Sequence, residues 1–385
     1  MMKNREIPKG LRDLLPDEVK IKRNIESQAA GLFMRYGYEE VITPAFEYLE
    51  VIEAGAGSNI RQELFMFMDR EGGILSLRPE MTVSIARLAA THLQDEPLPL
   101  RLYYMGNVFR HVQPQKAQYR EFWQAGIELL GAQGPIADAE VITIAARTLA
   151  AIGLLDFKIS LNHIGIFNSI LNDSNMNPQD QTRVRQLVER KDLVALSQVL
   201  DSLPVNERLK ETIASLPVLH GGLEIIDKIP YLEESPKASE AVSELLKIYE
   251  ALNTFGVIEH IVLDMGVLRG LDYYTGIVFE GYSPDLGYGL LGGGRYDNLL
   301  GQFGFPCPAT GFALGLERTA LVLKDTVDGP TRYLVGGTRL EAMVEKCDEL
   351  RTAGFIVELD TKMSGRDELQ KLCARKANTT LIYID

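Results

Sequence analysis

The spacing of apolar residues near the N-terminus predicts a helix. It begins at Pro16, and Asp17 and Glu18 occupy its first turn, where the helix dipole favours negative charge. Its apolar residues recur at helical spacing: Val19, Ile21, Ile25, Ala29, Leu32 and Phe33. Gly37 ends this helix. The next pattern, 38–43, is typical of a strand and stops before Pro44.

Aromatic-rich and alternating stretches predict strands through the first half of the chain. They are 65–69, 74–78, 100–110, 122–130 and 157–162. The first two form a hairpin, and the polar residues 111–119 between the third and fourth are typical of a site loop. Helices are predicted at 82–92 and 138–152.

The second half of the chain divides into three patterns. Residues 164–252 are nearly all helical and predict an insertion. Strands then return at 261–265, 277–282, 287–291 and 311–313, with a glycine turn at 292–294 and helical segments at 296–300 and 316–323. The polar stretch 324–330 predicts a linker, and the alternation beyond it predicts a small βαβ unit. We therefore expect a core over 1–323, a linker over 324–330 and a C-terminal domain over 331–385.

Composition narrows the class of protein. With 46% hydrophobic and 24% charged residues, the chain is typical of a soluble globular protein. The net charge of −13 argues against a wide surface for a polyphosphate backbone. Cys307, Cys347 and Cys373 lie far apart, which excludes zinc fingers and a disulfide framework. No apolar leader or membrane-length stretch is found, so a cytoplasmic protein without membrane attachment is expected.

Charged and amide residues interrupt several apolar segments. Glu80, Gln124, Glu128, Arg269 and Asp272 stand beside strand-like residues, and such groups need partners when they are buried. Carboxylates can hold an ammonium or an imidazole N–H, and arginines can hold a carboxylate or a phosphate. The pattern therefore fits a pocket for an amino acid or a nucleotide. A satisfied polar network in the core remains the other interpretation.

Five motifs resemble, in order, the catalytic core of the histidyl-tRNA synthetase family, a class II aminoacyl-tRNA synthetase. They are 77–82, 104–128, 268–279, 292–297 and 311–318, and the resemblance runs from about residue 8 to 323. The stretch 269–274 resembles the histidine-specific signature of that family. The resemblance implies an α+β fold, in which a mainly antiparallel sheet is flanked by helices and followed by a truncated α/β C-terminal domain. It also implies a homodimer formed through the core.

The resemblance also implies the site residues. The residues that match the family's histidine pocket are Glu80, Thr82, Arg110, Gln124, Glu128, Arg269, Tyr273 and Tyr274. Arg110 and Arg318 match the arginines for the ATP phosphates. No cofactor and no metal are expected, because His163 and His220 lack spaced partners.

Departures from the family pattern favour a non-catalytic member. Val112 and Gln113 replace a Glu and an Arg, which removes the acceptor for the adenine amino group. Met81 replaces a Gly and is expected to narrow the site. The 55 residues of 331–385 are too few for the synthetase's anticodon-binding domain.

Two descendants share this core, and the departures favour the regulatory subunit of short-form ATP phosphoribosyltransferase over the synthetase. The expected role is to bind a separate catalytic subunit in a hetero-oligomer, to activate it and to relay feedback inhibition by histidine in histidine biosynthesis. Histidine, as an allosteric ligand, is expected in the retained pocket or at a subunit interface, and no tRNA is expected. The alternatives are an active or divergent histidyl-tRNA synthetase and a paralogue that aminoacylates another acceptor or releases a free adenylate.

Overall fold

In the computed structural model, the described residues form fifteen strands, of which nine make one large sheet. The structure describes residues 5–56, 58–113, 119–268, 273–323, 331–376 and 378–385. The strands are β1 (Glu39–Glu40), β2 (Phe46–Tyr48), β3 (Met66–Met68), β4 (Ile74–Leu77), β5 (Leu100–Phe109), β6 (Glu121–Leu130), β7 (Lys158–His163), β8 (His220–Gly221), β9 (Ile261–Asp264), β10 (Ile277–Tyr282), β11 (Leu291–Arg295), β12 (Ala309–Gly315), β13 (Arg332–Gly337), β14 (Ile356–Leu359) and β15 (Thr379–Ile384).

The helices lie against the sheets of their own units and in the segment between β7 and β9. They are α1 (Pro16–Arg35), α2 (Leu49–Ala56), α3 (Thr82–His92), α4 (Pro135–Ala151), α5 (Ile164–Asp173), α6 (Pro178–Glu189), α7 (Leu193–Ser202), α8 (Glu207–Ser215), α9 (Pro236–Thr254), α10 (Leu316–Val322), α11 (Leu340–Thr352) and α12 (Arg366–Cys373). The chain divides into two compact units, Met1–Lys324 and Asp325–Asp385. The predicted linker 324–330 lies outside the described residues.

The large sheet has the order β1-β5-β6-β12-β11-β10-β7-β9-β8. Only the β1–β5 and β7–β9 pairs are parallel among its described strands. The long hairpin of β5 and β6 runs in register from Leu100 opposite Leu130 to Phe109 opposite Glu121. The α+β fold with a mainly antiparallel sheet is therefore confirmed, and so is the strand–loop–strand predicted around Arg110.

The core forms where α1 and α4 lie against the sheet. Phe33 of α1 is fully buried, and its ring lies 5.7 Å from that of Tyr103 and 6.0 Å from that of Phe312. Beyond this core, α5 to α9 occupy the segment in which the sequence predicts an insertion. The strand predicted at 38–43 is reduced to the two residues of β1.

The glycine-rich segment 292–294 lies inside a strand, so the prediction of a strand at 287–291 followed by a turn is wrong. It belongs to β11, between β10 and β12. Backbone carbonyls and side chains of neighbouring segments occupy the space that a Cβ would need. A Cβ on Gly293 would lie 2.6 Å from Phe312 Cβ, and one on Gly294 would lie 2.8 Å from the ring of Tyr274. The helix predicted at 296–300 is instead a single 3-10 turn, Leu300–Phe303.

A small antiparallel sheet, β2-β4-β3, contains the predicted hairpin, with Met68 opposite Ile74. Arg78, directly after β4, ties it to the large sheet. Its Nη1 donates to the Thr43 carbonyl at 2.8 Å, and its Nε donates to the Asn107 carbonyl at 2.8 Å. These bonds fix the backbone that leads to Glu80.

The C-terminal unit is a parallel three-stranded sheet of order β14-β13-β15. Its core is small, and centres on Val335, Met343 and Cys347. The predicted alternation of strands and helices is confirmed. Over the described part of the chain, no helix has both the length and the apolar character needed to cross a membrane.

A buried ion pair joins α4 to the strand β11. Arg295 Nε lies 3.0 and 2.9 Å from the two carboxylate oxygens of Asp138, and both residues are buried. Asp138→Ala leaves the guanidinium buried with Asp297, at 2.9 Å, as its remaining carboxylate partner, and is expected to lower the free energy of unfolding by about 3 kcal/mol. The measurement is urea unfolding followed by circular dichroism.

Glu140→Ala on the same helix is the matched control. Glu140 pairs with Arg101, and both side chains are partly exposed. Its loss is expected to be about 0–1 kcal/mol, because solvent screens exposed pairs. Equal losses in the two variants would contradict the assigned role of the buried pair.

Candidate functional site

The carboxylate of Glu80 caps the N-terminus of α3. Its Oε2 accepts from the Thr82 amide and its Oε1 from the Val83 amide, both at 2.8 Å. These amides have no partner within the helix, and the helix dipole favours a negative charge there. Burial raises the pKa of Glu80, against the lowering effect of the bonds from Val83 and Thr82.

A second buried carboxylate, that of Glu128 on β6, lies beside the same helix terminus. It accepts hydrogen bonds from Thr82 Oγ1 at 2.8 Å and from the hydroxyl of Tyr296. Burial raises the pKa of Glu128 to about 8, although these two bonds lower it and the charge of Glu80 raises it further. Burial therefore favours the protonated form of this carboxyl, and a cation beside it would favour the ionised form.

One small cavity, of about 50 Å³, gathers the predicted pocket residues. Of those predicted, the structure places these around it: Glu80, Thr82, Arg110, Gln124, Glu128, Tyr273 and Tyr274. Arg269 and Asp272 lie outside the described residues. The grouping brings together side chains that follow or belong to β4, α3, β5, β6 and the segment before β10.

Two further tyrosines line this cavity that the sequence analysis did not assign to it. They are Tyr104 on β5 and Tyr296 after β11, and burial raises the pKa of each well above its ordinary value. The Tyr104 hydroxyl and Gln124 Oε1 are buried without a hydrogen-bond partner. The alternation of β5 gives a sequence signal for Tyr104, because it places this residue on the same face as Leu102.

The charge of the cavity selects the kind of ligand that it can hold. The cavity is lined by the two buried carboxylates and, among the described residues, by one guanidinium, that of Arg110. Arg110 Nε donates a hydrogen bond to the Pro79 carbonyl at 2.9 Å. Buried carboxylates require hydrogen-bond donors or a cation. A ligand that carries an ammonium group and a ring N–H supplies both a cation and hydrogen-bond donors. It would also satisfy the two unpartnered groups if it offered an acceptor to the Tyr104 hydroxyl and a donor to Gln124 Oε1.

A second cavity, of about 160 Å³, adjoins the first and shares Arg110, Gln124, Gly292 and Ala313 with it. Arg110 and Arg318 both line it, as does Val112. Arg318 Nη1 donates to the Gly289 carbonyl at 2.9 Å. The carboxylate of Glu317 accepts from the Trp123 amide at 2.9 and 3.0 Å, which fixes the strand next to Gln124.

Met81 lines neither cavity, so the expectation that it narrows the site is wrong. Its side chain is 2% exposed and lies in the core beside Gly106. A Cβ on Gly106 would lie 3.3 Å from the Met81 sulfur. The start of α3 directs this side chain into the core while Glu80 and Thr82 face the cavity. Among the described residues, no group of three or more His, Cys, Asp or Glu is placed to hold a metal ion.

Comparison with known proteins gives a consistent result. A family model described as histidyl-tRNA synthetase matches residues 10–319. A Moorella thermoacetica protein named ATP phosphoribosyltransferase regulatory subunit is 42% identical over 94% of each chain. A Methanocaldococcus jannaschii protein named histidine–tRNA ligase is 38% identical over 92% of this chain and 85% of its own.

The fold of one solved structure matches the fold of this chain along almost its whole length. The Bacillus halodurans protein described as an ATP phosphoribosyltransferase regulatory subunit/histidyl-tRNA synthetase is 34% identical, with a TM-score of 0.87 over 98% of both chains. The fold and site thus define a class II synthetase-like protein. The chain belongs to the histidyl-tRNA synthetase family and, within it, to the proteins named ATP phosphoribosyltransferase regulatory subunit.

The raised pKa of Glu128 predicts how stability depends on pH. This carboxyl titrates near 4.5 when exposed and near 8 in the folded protein. Between these values the folded state binds more protons than the unfolded state, so its contribution to stability falls as the pH rises. Glu128→Gln is expected to remove this contribution, which reaches about 1.4 kcal/mol per pH unit at most. Urea unfolding at intervals from pH 5 to 9 measures it.

Glu121→Gln, on the same strand but away from the cavity, is the control and is expected to follow the wild-type profile. The assignment fails when Glu128→Gln and the wild type show parallel stability profiles across this range.

Proposed function

We propose that this chain is the non-catalytic regulatory subunit of an ATP phosphoribosyltransferase, acting with a separate catalytic subunit in the first step of histidine biosynthesis. The observation that carries the proposal is the contrast between the two adjoining cavities. The smaller cavity, which contains Glu80 and Glu128 and is here named the acidic cavity, is lined by the described residues that match the family's histidine pocket. Val112 lines the larger cavity, and its side chain offers no acceptor to an adenine amino group. The names of the relatives support the same assignment.

Histidine is the allosteric ligand of this proposal, and the acidic cavity is its site. Its ammonium group and imidazole N–H match the buried carboxylates of Glu80 and Glu128. A further hydrogen of the ammonium group can be donated to Gln124 Oε1, and the second ring nitrogen can accept from the Tyr104 hydroxyl, since neither protein group has a hydrogen-bond partner in the structure. Feedback is then a coupling free energy between this site and the catalytic subunit, and the coupling is reciprocal.

The assembly has two parts in this proposal. The chain forms a homodimer through the class II core, and the dimer binds the short-form catalytic subunit in a hetero-oligomer. No tRNA is bound, which accords with the net charge of −13.

An active histidyl-tRNA synthetase is the second candidate. The presence of Arg110 and Arg318 in the lining of one cavity supports it, because these residues match the family's arginines for the ATP phosphates. The Methanocaldococcus jannaschii relative is named histidine–tRNA ligase. This candidate requires ATP-dependent histidine activation, which a regulatory subunit does not perform.

ATP–pyrophosphate exchange with histidine, beside calorimetric titration of the isolated protein with histidine, separates the two candidates. Histidine binding without exchange is expected. Robust histidine-dependent exchange would overturn the regulatory assignment in favour of the synthetase. Absence of both binding and exchange would move the histidine site from this chain to the assembled complex.

Substitutions in the acidic cavity are expected to weaken histidine binding. Glu128→Ala removes a buried carboxylate and Tyr273→Phe removes a lining hydroxyl. A lost hydrogen bond to a charged group corresponds to about 1.5–3 kcal/mol, so the Kd of Glu128→Ala should rise about 10- to 100-fold. In the reconstituted complex, both variants should need more histidine for the same inhibition.

Glu121→Ala on the same strand serves as the control for these variants and should keep the wild-type Kd within about twofold. Unchanged histidine affinity in Glu128→Ala, with a native circular dichroism spectrum, would remove histidine from this cavity.

A further inference from the structure

The acidic cavity is enclosed at its inner end and partly exposed at its outer side. Tyr104, Glu128 and Tyr296, which line the inner end, are at most 2% exposed. Arg110 and Gln124, in the same lining, are half-buried. A cavity of about 50 Å³ that is enclosed in this way needs a passage for any ligand that enters or leaves it. The place of that passage decides how fast the ligand is exchanged.

The outer side of the acidic cavity is continuous with the adjoining cavity of about 160 Å³. Arg110, Gln124, Gly292 and Ala313 line both cavities. The adjoining cavity in turn reaches towards solvent, because its lining includes the half-buried Val112. The opening of the acidic cavity is therefore the floor of the adjoining one.

One face of the strand β6 runs along both cavities. Of the two, Phe122 lines only the adjoining cavity, Gln124 lines both, and Glu128 lines only the acidic cavity. These positions differ by even numbers of residues, so their side chains lie on the same side of the strand. At about 3.3 Å per residue, this face leads from Phe122 to the buried carboxylate about 20 Å further along.

The neighbouring strand β12 repeats this order in the opposite direction. Gly315 lines the adjoining cavity, Ala313 lines both, and Gly311 lines the acidic cavity. The register sets Gly315 opposite Gln124 and Gly311 opposite Glu128. No side chain in this row of β12 is larger than a methyl group. The two paired strands therefore provide an unobstructed floor between the cavities.

The other half-buried part of the acidic lining is crowded by aromatic rings. It consists of Thr82, Tyr273 and Tyr274, which do not line the adjoining cavity. The ring of Tyr273 lies 4.9 Å from that of Tyr274 and 5.7 Å from that of Tyr296. Entry on this side would have to displace packed rings, whereas entry from the adjoining cavity crosses glycine and alanine.

We propose that the adjoining cavity is the passage through which small molecules reach the acidic cavity from solvent. For histidine as the molecule that passes, the proposal rests on the proposed function. A nucleotide held in the adjoining cavity would cover this path, and the side chain of Val112 gives an adenine amino group no acceptor there. A regulatory subunit must exchange histidine as its concentration changes, and a passage that holds no nucleotide permits this exchange.

Gly315→Leu obstructs the passage without adding a side chain to the acidic lining. A Cβ on Gly315 would lie 3.5 Å from the Leu290 carbonyl oxygen and 3.9 Å from Arg318 Cδ, which are ordinary contacts with residues of the adjoining cavity. The backbone there is extended, with φ −83° and ψ 111°, and accepts any side chain.

Gly365→Leu, in the C-terminal unit, is the matched control. Gly365 also directly precedes a helix and is extended, with φ −68° and ψ 156°. No described heavy atom lies within 4 Å of the position of its Cβ, so leucine fits here as well.

Chemical labelling measures the passage without histidine. Thr82→Cys places a thiol in the acidic cavity, and a Cys373→Ser background leaves two native cysteines, both buried. The probe is aminoethyl methanethiosulfonate, whose ammonium group suits the carboxylates. Gly315→Leu should slow the labelling of the introduced thiol by at least about tenfold, because leucine must move aside for each entry. Gly365→Leu should keep the labelling rate within about twofold.

Circular dichroism checks that each variant is folded. Val112→Phe obstructs the same cavity from its outer part and replaces Gly315→Leu if that variant does not fold. Equal labelling rates with and without the obstructing side chain would overturn the proposal and place the entry beside Tyr273 and Tyr274.

Histidine exchange gives a second readout. Trp123, the one tryptophan of the chain, directly precedes Gln124, and its fluorescence in a stopped-flow experiment is the reporter. Gly315→Leu should lower the association and dissociation rate constants by the same factor and keep the Kd within about twofold, because an obstruction raises the barrier and changes neither end state. Unchanged rate constants would overturn the proposal. If histidine does not bind the unobstructed protein, the proposed function fails at this site, while the labelling rates still decide where the passage lies.

Discussion

The burial of two carboxylates in one small cavity is the constraint on which the site depends. Glu80 and Glu128 are each almost fully buried, and their charges disfavour one another. The first is held by the amides at the start of α3, and the second by the hydroxyls of Thr82 and Tyr296. Since the donors lie at the start of α3 and just after β11 and Glu128 lies on β6, the site exists only when all three elements are in place.

Glycines make this arrangement sterically possible. A Cβ on Gly311 would lie 1.9 Å from Glu128 Oε2, and one on Gly294 would overlap the ring of Tyr274. The two central strands therefore lack side chains where the carboxylate and the aromatic ring lie across them. Glycine is unfavourable in the interior of a strand, but these glycines create the space for the cavity. The packing of the sheet and the formation of the site therefore depend on the same residues.

Local periodicity was sufficient for elements whose pattern is unambiguous. The helix at 82–92 and the strand at 277–282 were predicted at their observed bounds, because apolar spacing and flanking breakers agree there. The prediction from periodicity failed at 292–294. A run of glycines is typical of a turn unless it is known that neighbouring segments occupy the space in which side chains would lie. Tyr104 was missed because an inward aromatic on a strand has the same pattern whether it meets core or cavity. The order of the sheet, with β12 between β6 and β11, rests on long-range pairing that no local pattern carries.

A regulator and a synthetase place different demands on the same site. Ligand-dependent regulation needs only that one state of the protein bind the ligand more tightly, and a cavity with poorly compensated carboxylates gains free energy when a cationic ligand enters. Adenylation additionally needs the nucleotide held at reacting distance, which depends on base recognition as well as on arginines. Under the proposed function, Val112 lacks an interaction that only a synthetase would require, while Glu80 and Glu128 would serve either role. Under this proposal, the acidic cavity can keep its ligand while the adjoining cavity lined by Arg110, Val112 and Arg318 loses its own.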